Sequence, residues 1–175
     1  RIDVAAELGE RPLHGFTARL LDLIPGNEVL MLDVRQKDLA IPRLAPELDG
    51  LRIAHLSDLH FTGAIGRPYF EYVMEQVNAW EADLVAVTGD IVDKTDCQSW
   101  LPDTLGRLQA RHGKFFVLGN HDLRVTDVQQ LREDLADCGL HDLGGEWQVI
   151  AVRGRRILLA GNERTWIRPL PDVPA

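Results

Sequence analysis

The sequence predicts an α/β domain, and three observations carry that prediction. Three apolar segments read as buried strands: "LRIAHLSD" from Leu51, "ADLVAVTGD" from Ala82 and "KFFVLGNHD" from Lys114. Each ends in polar residues. Stretches with helical periodicity lie between and after them, which is the alternation expected of a sheet with crossover helices.

Residues 1–28 mix short apolar clusters with Pro12, Gly15, Pro25 and Gly26, show no clean period, and are expected to be loosely structured. "EVLMLDV" alternates like a strand, and Pro42, Pro46 and Gly50 then mark a connector. Residues 1–49 are thus read as an N-terminal extension with an edge strand, and residues 50–175 as the main domain. Beyond the first core strand, Phe70, Val73, Met74 and Val77 recur at helical spacing behind Pro68, which suits a first helical turn. Leu101, Leu105 and Leu108 predict a shorter second helix. Val128, Leu131, Leu135 and Cys138 predict a third, with Thr126 and Gln129 as a capping box and Gly139 as a left-handed stop. "WQVIAV" and "RILLAG" read as a hairpin joined at Gly154, and the proline-containing "RTWIRPLPDVPA" has no period.

Bulk properties narrow the function. With 175 residues, 45% of them apolar and 26% charged, the chain can bury a core of its own. A net charge of −8 argues against nucleic acid as a partner, which would call for a basic stripe. Cys97 and Cys138 form no C-x-x-C pair and suggest neither a zinc knuckle nor a disulfide framework. The most apolar run, "VLMLDV", is far too short for a membrane span and carries Asp33. The chain opens on Arg1 rather than methionine, so targeting is not readable, and cytoplasmic and membrane-associated locations both fit.

The chemistry gathers at the strand ends. Ligands of open α/β sheets bind beyond the carboxyl ends of the strands, and here those ends carry Asp58 and His60, then Gly89 and Asp90, then Gly119, Asn120, His121 and Asp122. A carboxylate delivered to the end of a buried strand is costly unless it is paired or coordinates a metal. Several oxygen and imidazole donors converging on one point describe a divalent-cation site. On an extended backbone Asp58 and His60 are expected to project to the same side, and the glycines before Asp90 and Asn120 to let the chain turn sharply. Each motif alone is weak; their order and common placement carry the reading.

"SDLH", "GDIVD" and "GNHD", in this order, resemble the first three motifs of the calcineurin-like metallophosphoesterases, over about residues 50–165. The resemblance implies a β-sandwich flanked by helices and a two-metal phosphoesterase that uses two divalent ions (Mn, Zn, Fe or Mg). It further implies that Asp58 and His60 bind the first metal, that Asp90 bridges both, and that Asn120 binds the second. His121 would act as general acid or phosphate-binding donor, with Asp93 as its carboxylate partner. Lys94 stands where some relatives carry a phosphate-binding arginine. Asp122 replaces the glutamate of many relatives and is read as a supporting or helix-starting residue rather than a ligand. The motif variant looks most like bacterial members, some membrane-associated, so the implied partner is a phosphorylated small molecule or a nucleotide-linked lipid.

The chain departs from the family pattern in one respect. The family completes its site with a Gly-His pair and a Gly-His-x-His downstream of the hairpin, and none of His14, His55, His60, His112, His121 and His141 supplies them. The second metal is therefore expected to bind poorly. We expect the 175 residues to be the N-terminal portion of a longer chain, a natural short form without catalysis being the alternative. An incomplete sandwich would expose an apolar sheet face, suited to a dimer, and any membrane association would come through a segment outside this chain. The competing function is a non-catalytic metal-binding or interaction module that keeps a half-site. Among other residues, His55 is read as structural, His14, His112 and His141 as surface, and Arg124 as solvent-facing. Asn162 and Glu163 are read as turn residues, and Trp80, Trp100, Trp147 and Trp166 as core or edge packing.

Overall fold

The structure is a computed structural model and describes residues 1–164 and 167–174; Trp166 lies outside the described residues. The N-terminal region is more ordered than its composition suggests. Strand β1 (Ile2–Asp3) pairs antiparallel with β2 (Met31–Leu32), so the strand-like stretch "EVLMLDV" pairs within the extension through two of its residues. Helix α1 (Val4–Leu8) starts where the Asp3 carboxylate accepts from the backbone N–H of Ala5 and Ala6 at 3.1 and 3.3 Å, and stops at Gly9 with φ of 68°. Such a cap satisfies N–H groups that a helix start leaves unpaired. A second short helix, α2 (Phe16–Asp22), follows. Ala5, Leu13 and Leu30 form a small core of their own, against which Ala18, Ile65 and Tyr69 pack.

The main sheet is parallel throughout. Strands β3 (Ile53–Leu56), β4 (Leu84–Thr88), β5 (Lys114–Val117) and β6 (Leu140–Asp142) lie side by side in chain order, in registers that place Leu56 opposite Val87 and Thr88 opposite Val117. Helices α3 (Arg67–Ala79) and α4 (Val128–Asp137) cover one face. From α3 come buried Phe70, Val73 and Met74, from α4 Leu131 and Leu135, and they meet Leu56, Val85, Val87 and Phe116 of the strands in one core. Removing each such side chain from water contributes roughly 1.5–3 kcal/mol, which is what holds the crossovers to the sheet.

Three local expectations differ from the outcome. Leu101 and Leu105 are fully buried, but the segment forms short 3-10 turns, Thr95–Trp100 and Leu105–Arg107, because Pro102 and Gly106 interrupt any longer helix. The cap of α4 is Asp127, whose carboxylate accepts from Gln130 N at 3.0 Å, while Thr126 N donates to Thr95 Oγ1 instead. Strand β6 is too short for its periodicity to be read. Gly139 does close α4 with φ of 78°.

Strands β7 (Trp147–Val152) and β8 (Arg155–Ala160) form the hairpin, with Arg153 and Gly154 at φ of 50° and 77° in a two-residue turn. Ile150 and Leu159 pack on Leu84, Phe115 and Leu143, on the sheet face opposite the helices. This second layer is partial. Ile53 remains 58% exposed, and Trp147, Val149 and Leu158 are each 38% exposed.

The hairpin tip is tied to the opposite, amino end of the sheet. Asp83, almost fully buried, accepts from Arg52 N at 3.0 Å, from Arg153 at 3.0 Å and from Arg111 at 3.4 Å, while Arg153 also donates to the Asp49 carbonyl at 2.7 Å. Burial pushes the Asp83 carboxyl up, but the Arg52 N–H and the two guanidinium groups outweigh it, so its pKa lies below the usual value. A depressed folded pKa stabilises above the unfolded value of ~3.9, and that stability is lost as pH falls through the folded value. Asp83→Asn is expected to cost about 2 kcal/mol at neutral pH, with the difference from wild type shrinking below about pH 4, in urea denaturation at both pH values.

Candidate metal centre

Because β3, β4 and β5 are parallel, their carboxyl ends share one edge, and the loops that follow run together. Asp58 N donates to the Gly89 carbonyl at 3.2 Å, His60 N to Asp90 at 2.9 Å and Phe61 N to Ile91 at 2.9 Å. Asp58 and His60 do not lie on extended backbone as expected. Strand β3 ends at Leu56, and Asp58, His60 and Asp90 adopt left-handed conformations, with φ of 56°, 48° and 53°. Non-glycine residues rarely hold such angles, at a cost of order 1–3 kcal/mol each, and they cluster where a site needs them. Among the described residues five non-glycines have positive φ, and three of them are the candidate ligands.

The side chains converge. One ligand atom from each of Asp58, His60 and Asp90 lies within 4.8 Å of the others, and His60 Nε2 is 3.9 Å from Asp58 Oδ1. His60 Nδ1 lies 2.9 Å from Asp93 Oδ1. Facing a carboxylate, Nδ1 is assigned the proton, which leaves the Nε2 lone pair free toward Asp58. His121 Nδ1 lies 3.0 Å from the other Asp93 oxygen, and the His60 and His121 rings meet edge to face at 4.6 Å. A second group of donors, His60, Asp93 and His121, is equally close. Its Nδ1–carboxylate distances are those of hydrogen bonds, so the Asp58, His60 and Asp90 set fits a cation better. One acidic side chain thus orients two imidazoles. Burial pushes the Asp93 carboxyl up, but hydrogen bonds from His60 and His121 outweigh it and hold it below the usual carboxylate range.

The third loop is held against the second. His121 N donates to Asp90 Oδ1 at 2.8 Å, and Asn120, the residue before it, is half-buried. Gly119 is required for close approach rather than for a turn: a Cβ there would lie 2.2 Å from Asp90 Oδ1. Gly89 is needed on both counts, with φ of 83° and a hypothetical Cβ 2.7 Å from Gly119 N.

Asp122 explains how the loops stay so close. Fully buried, it accepts from Ile91 N and Val92 N through Oδ1 and from Gly119 N through Oδ2, each at 2.8 Å. Burial pushes its carboxyl up in pKa, against the pull of these N–H groups.

Several residues matter more than the sequence suggests. Arg124, read as solvent-facing, is exposed yet donates to Asp93 Oδ2 at 3.1 Å. Ser57 donates to Asp58 Oδ2 and sits 3.2 Å from the Thr88 carbonyl, which fixes one side of the first carboxylate. Glu163 is buried away from the site; it accepts from Leu118 N at 2.6 Å and from Arg132 at 2.8 Å. His55 sits on the exposed face of β3, 2.6 Å from Thr88 Oγ1, and Lys94 is exposed beside Asp93 in sequence. A carboxylate pair and an imidazole with a fixed tautomer can hold a hard or borderline divalent cation, and an oriented histidine beside them can exchange a proton with a bound group.

Residues 51–170 match the model of the calcineurin-like phosphoesterase family. A Bos taurus protein named "Transmembrane protein with metallophosphoesterase domain" is 33% identical over 118 residues, 67% of this chain and 27% of that protein. Its Danio rerio namesake is 31% identical over 107 residues, 61% of this chain and 24% of that protein. "UDP-2,3-diacylglucosamine pyrophosphatase LpxG" of Chlamydia muridarum is 31% identical over 94 residues, 53% and 29% of the two chains. The similarity reaches vertebrates as well as bacteria, so it does not single out a bacterial origin. The chain spans about a quarter of the length of these relatives. No described helix is long and apolar enough to cross a membrane.

Proposed function

We propose that this chain, which belongs to the calcineurin-like phosphoesterase family, carries the first half of a two-metal site that hydrolyses a phosphomonoester, phosphodiester or pyrophosphate. The observation that supports this best is the convergence of Asp58, His60 and Asp90 within 4.8 Å beside a histidine already oriented by Asp93. Asp58, His60 and Asp90 are the residues that would hold a first cation, and Asp90 with the amide oxygen of Asn120 those that would serve a second. Divalent cations in this position supply Lewis acidity toward a phosphoryl oxygen and offset its charge.

The chain's own residues do the rest. Asp93 holds Nδ1–H of His121 and so presents Nε2, which exchanges a proton with the leaving group or donates to a phosphoryl oxygen. The left-handed turns at Asp58, His60 and Asp90 aim the donors before any ligand arrives, so little reorganisation is left for binding. A phosphorylated small molecule or a nucleotide-linked lipid fits this chemistry, and the likeness to the Chlamydia pyrophosphatase favours a pyrophosphate-linked one. The second reading, a non-catalytic metal-binding module, draws on the absence of further glycine-histidine motifs among these residues.

The test is hydrolysis of bis-p-nitrophenyl phosphate and p-nitrophenyl phosphate with manganese or zinc, by the longest protein encoded with these residues. Asp58→Ala and His121→Ala are each expected to lower turnover by about 10²–10⁴-fold. Unchanged turnover in either would sink the mechanism. Tight manganese binding that depends on Asp58, without turnover of either ester, would favour the module.

A further inference from the structure

We infer that α2 is a membrane-surface element, a function separate from the metal centre and independent of the proposed activity. Phe16, Leu20, Leu21, Leu23 and Ile24 are 82%, 52%, 50%, 77% and 55% exposed, and no residue of α2 is buried. Phe16 and Leu20 lie on α2, and Leu23 and Ile24 continue it as turn residues bonded to the Leu20 and Leu21 carbonyls; at i, i+4, i+7 and i+8 the four make one stripe. Ala18, off that stripe, packs on the small N-terminal core. The amphipathicity is therefore inverted: the small residue faces the protein and the large apolar ones face away.

What covers such a stripe follows from its size and charge. Helix α2 itself is about 10 Å long, its turn carries the stripe on to Ile24, and the stripe is about 10 Å wide. That footprint is far below the ~800 Å² per partner of a stable protein interface, which disfavours a second copy of the chain. It is the size of an interfacial helix face that sinks into the headgroup boundary of a bilayer. The charge agrees. Residues 11–25 of this chain of net charge −8 hold Arg11, His14 and Arg19 against Asp22 alone, and Asp22 is paired with Arg11. Arg19 has no acidic partner among the described residues. Arg19 donates only to the Leu13 carbonyl, at 3.4 Å, so the stripe is flanked by a cation whose charge is uncompensated, which suits an anionic lipid surface.

The measurement is co-sedimentation of the 175-residue chain with vesicles of phosphatidylcholine alone and of phosphatidylcholine with about a quarter phosphatidylglycerol. Wild type is expected to pellet with the anionic vesicles and less with the neutral ones. The triple change Phe16→Ser, Leu20→Ser and Leu23→Ser is expected to weaken pelleting at least about tenfold with an unchanged melting temperature, since these side chains are exposed. Arg19→Glu should remove the preference for phosphatidylglycerol. Wild type remaining in the supernatant with both vesicles overturns the inference, as does equal pelleting by the triple variant. A dimer in light scattering that the triple variant disperses overturns it too, since a second copy would then be the occupant. None of these outcomes bears on metal binding at Asp58, so the two readings fail separately.

Discussion

Asp122→Ala is expected to lower the unfolding free energy by about 4 kcal/mol and to weaken manganese binding at least about tenfold, because it leaves three N–H donors without their acceptor. Ile91 N, Val92 N and Gly119 N all end on this one carboxylate at 2.8 Å, and it has no exposed surface. Each orphaned donor costs roughly 1–3 kcal/mol where water cannot replace the lost oxygen, and the vacated volume adds a cavity contribution. The metal effect has a separate origin. Asp122 ties the loop that carries Asp90 to the loop that carries Asn120, so its loss frees two loops of the candidate site whose spacing it had fixed. Asp122→Asn separates the two effects: its oxygen can still serve Ile91 and Val92, but its NH₂ group faces Gly119 N–H, for a cost of about 2 kcal/mol. Chemical denaturation with and without manganese reads both quantities. An alanine variant within 1 kcal/mol of wild type, roughly the net worth of one ordinary hydrogen bond, would remove Asp122 from its role as the clasp.

How much of this was legible depended on whether a residue's job was local. The first three strands of the main sheet could be read because "RIAHL", "DLVAV" and "KFFVL" are rich in apolar residues and bounded by polar ones; β4 and β5 lie inside the parallel sheet, which favours that pattern, while the edge strand β3 leaves Ile53 and His55 exposed. The family motifs could be read because their order along the chain becomes their order along one sheet edge. The backbone at Asp58, His60 and Asp90 could not be read, since no residue type announces a left-handed turn except glycine and, weakly, asparagine and aspartate. Tertiary hydrogen bonds imposed it, from His60 N to the Asp90 carbonyl and its neighbours. Leu101 and Leu105 show the reverse case: their spacing correctly marked burial, while Pro102 and Gly106 decided the local conformation. Arg124 gave no signal because its partner Asp93 is 31 residues away.

Glu163→Ala is expected to cost about 4 kcal/mol, although the residue lies outside the recognised motifs and touches none of the candidate ligands. Its two oxygens do different work. Oε1 accepts from Leu118 N at 2.6 Å, at the residue just before Gly119 and Asn120, and Oε2 accepts from Arg132 at 2.8 Å. Arg132 is itself buried on α4 and also holds Asp142 of β6 through Nη1 at 2.8 and 2.9 Å. Asp142 remains in the variant, so the guanidinium keeps one partner and the penalty falls short of that for a wholly unpaired buried charge. Gly144 reports how tightly the carboxylate is seated, since a Cβ there would lie 2.2 Å from Glu163 Oε1. Glu163→Gln should cost less, about 2 kcal/mol, because its amide oxygen can still serve Leu118 N while its NH₂ group meets the Arg132 donors. Urea denaturation gives the order wild type, glutamine, alanine. If alanine proved no worse than glutamine, the hydrogen bond to Leu118 N, which glutamine alone retains, would add no measurable stability, and the link from the end of the hairpin to the third candidate loop would rest on the Arg132 ion pair instead.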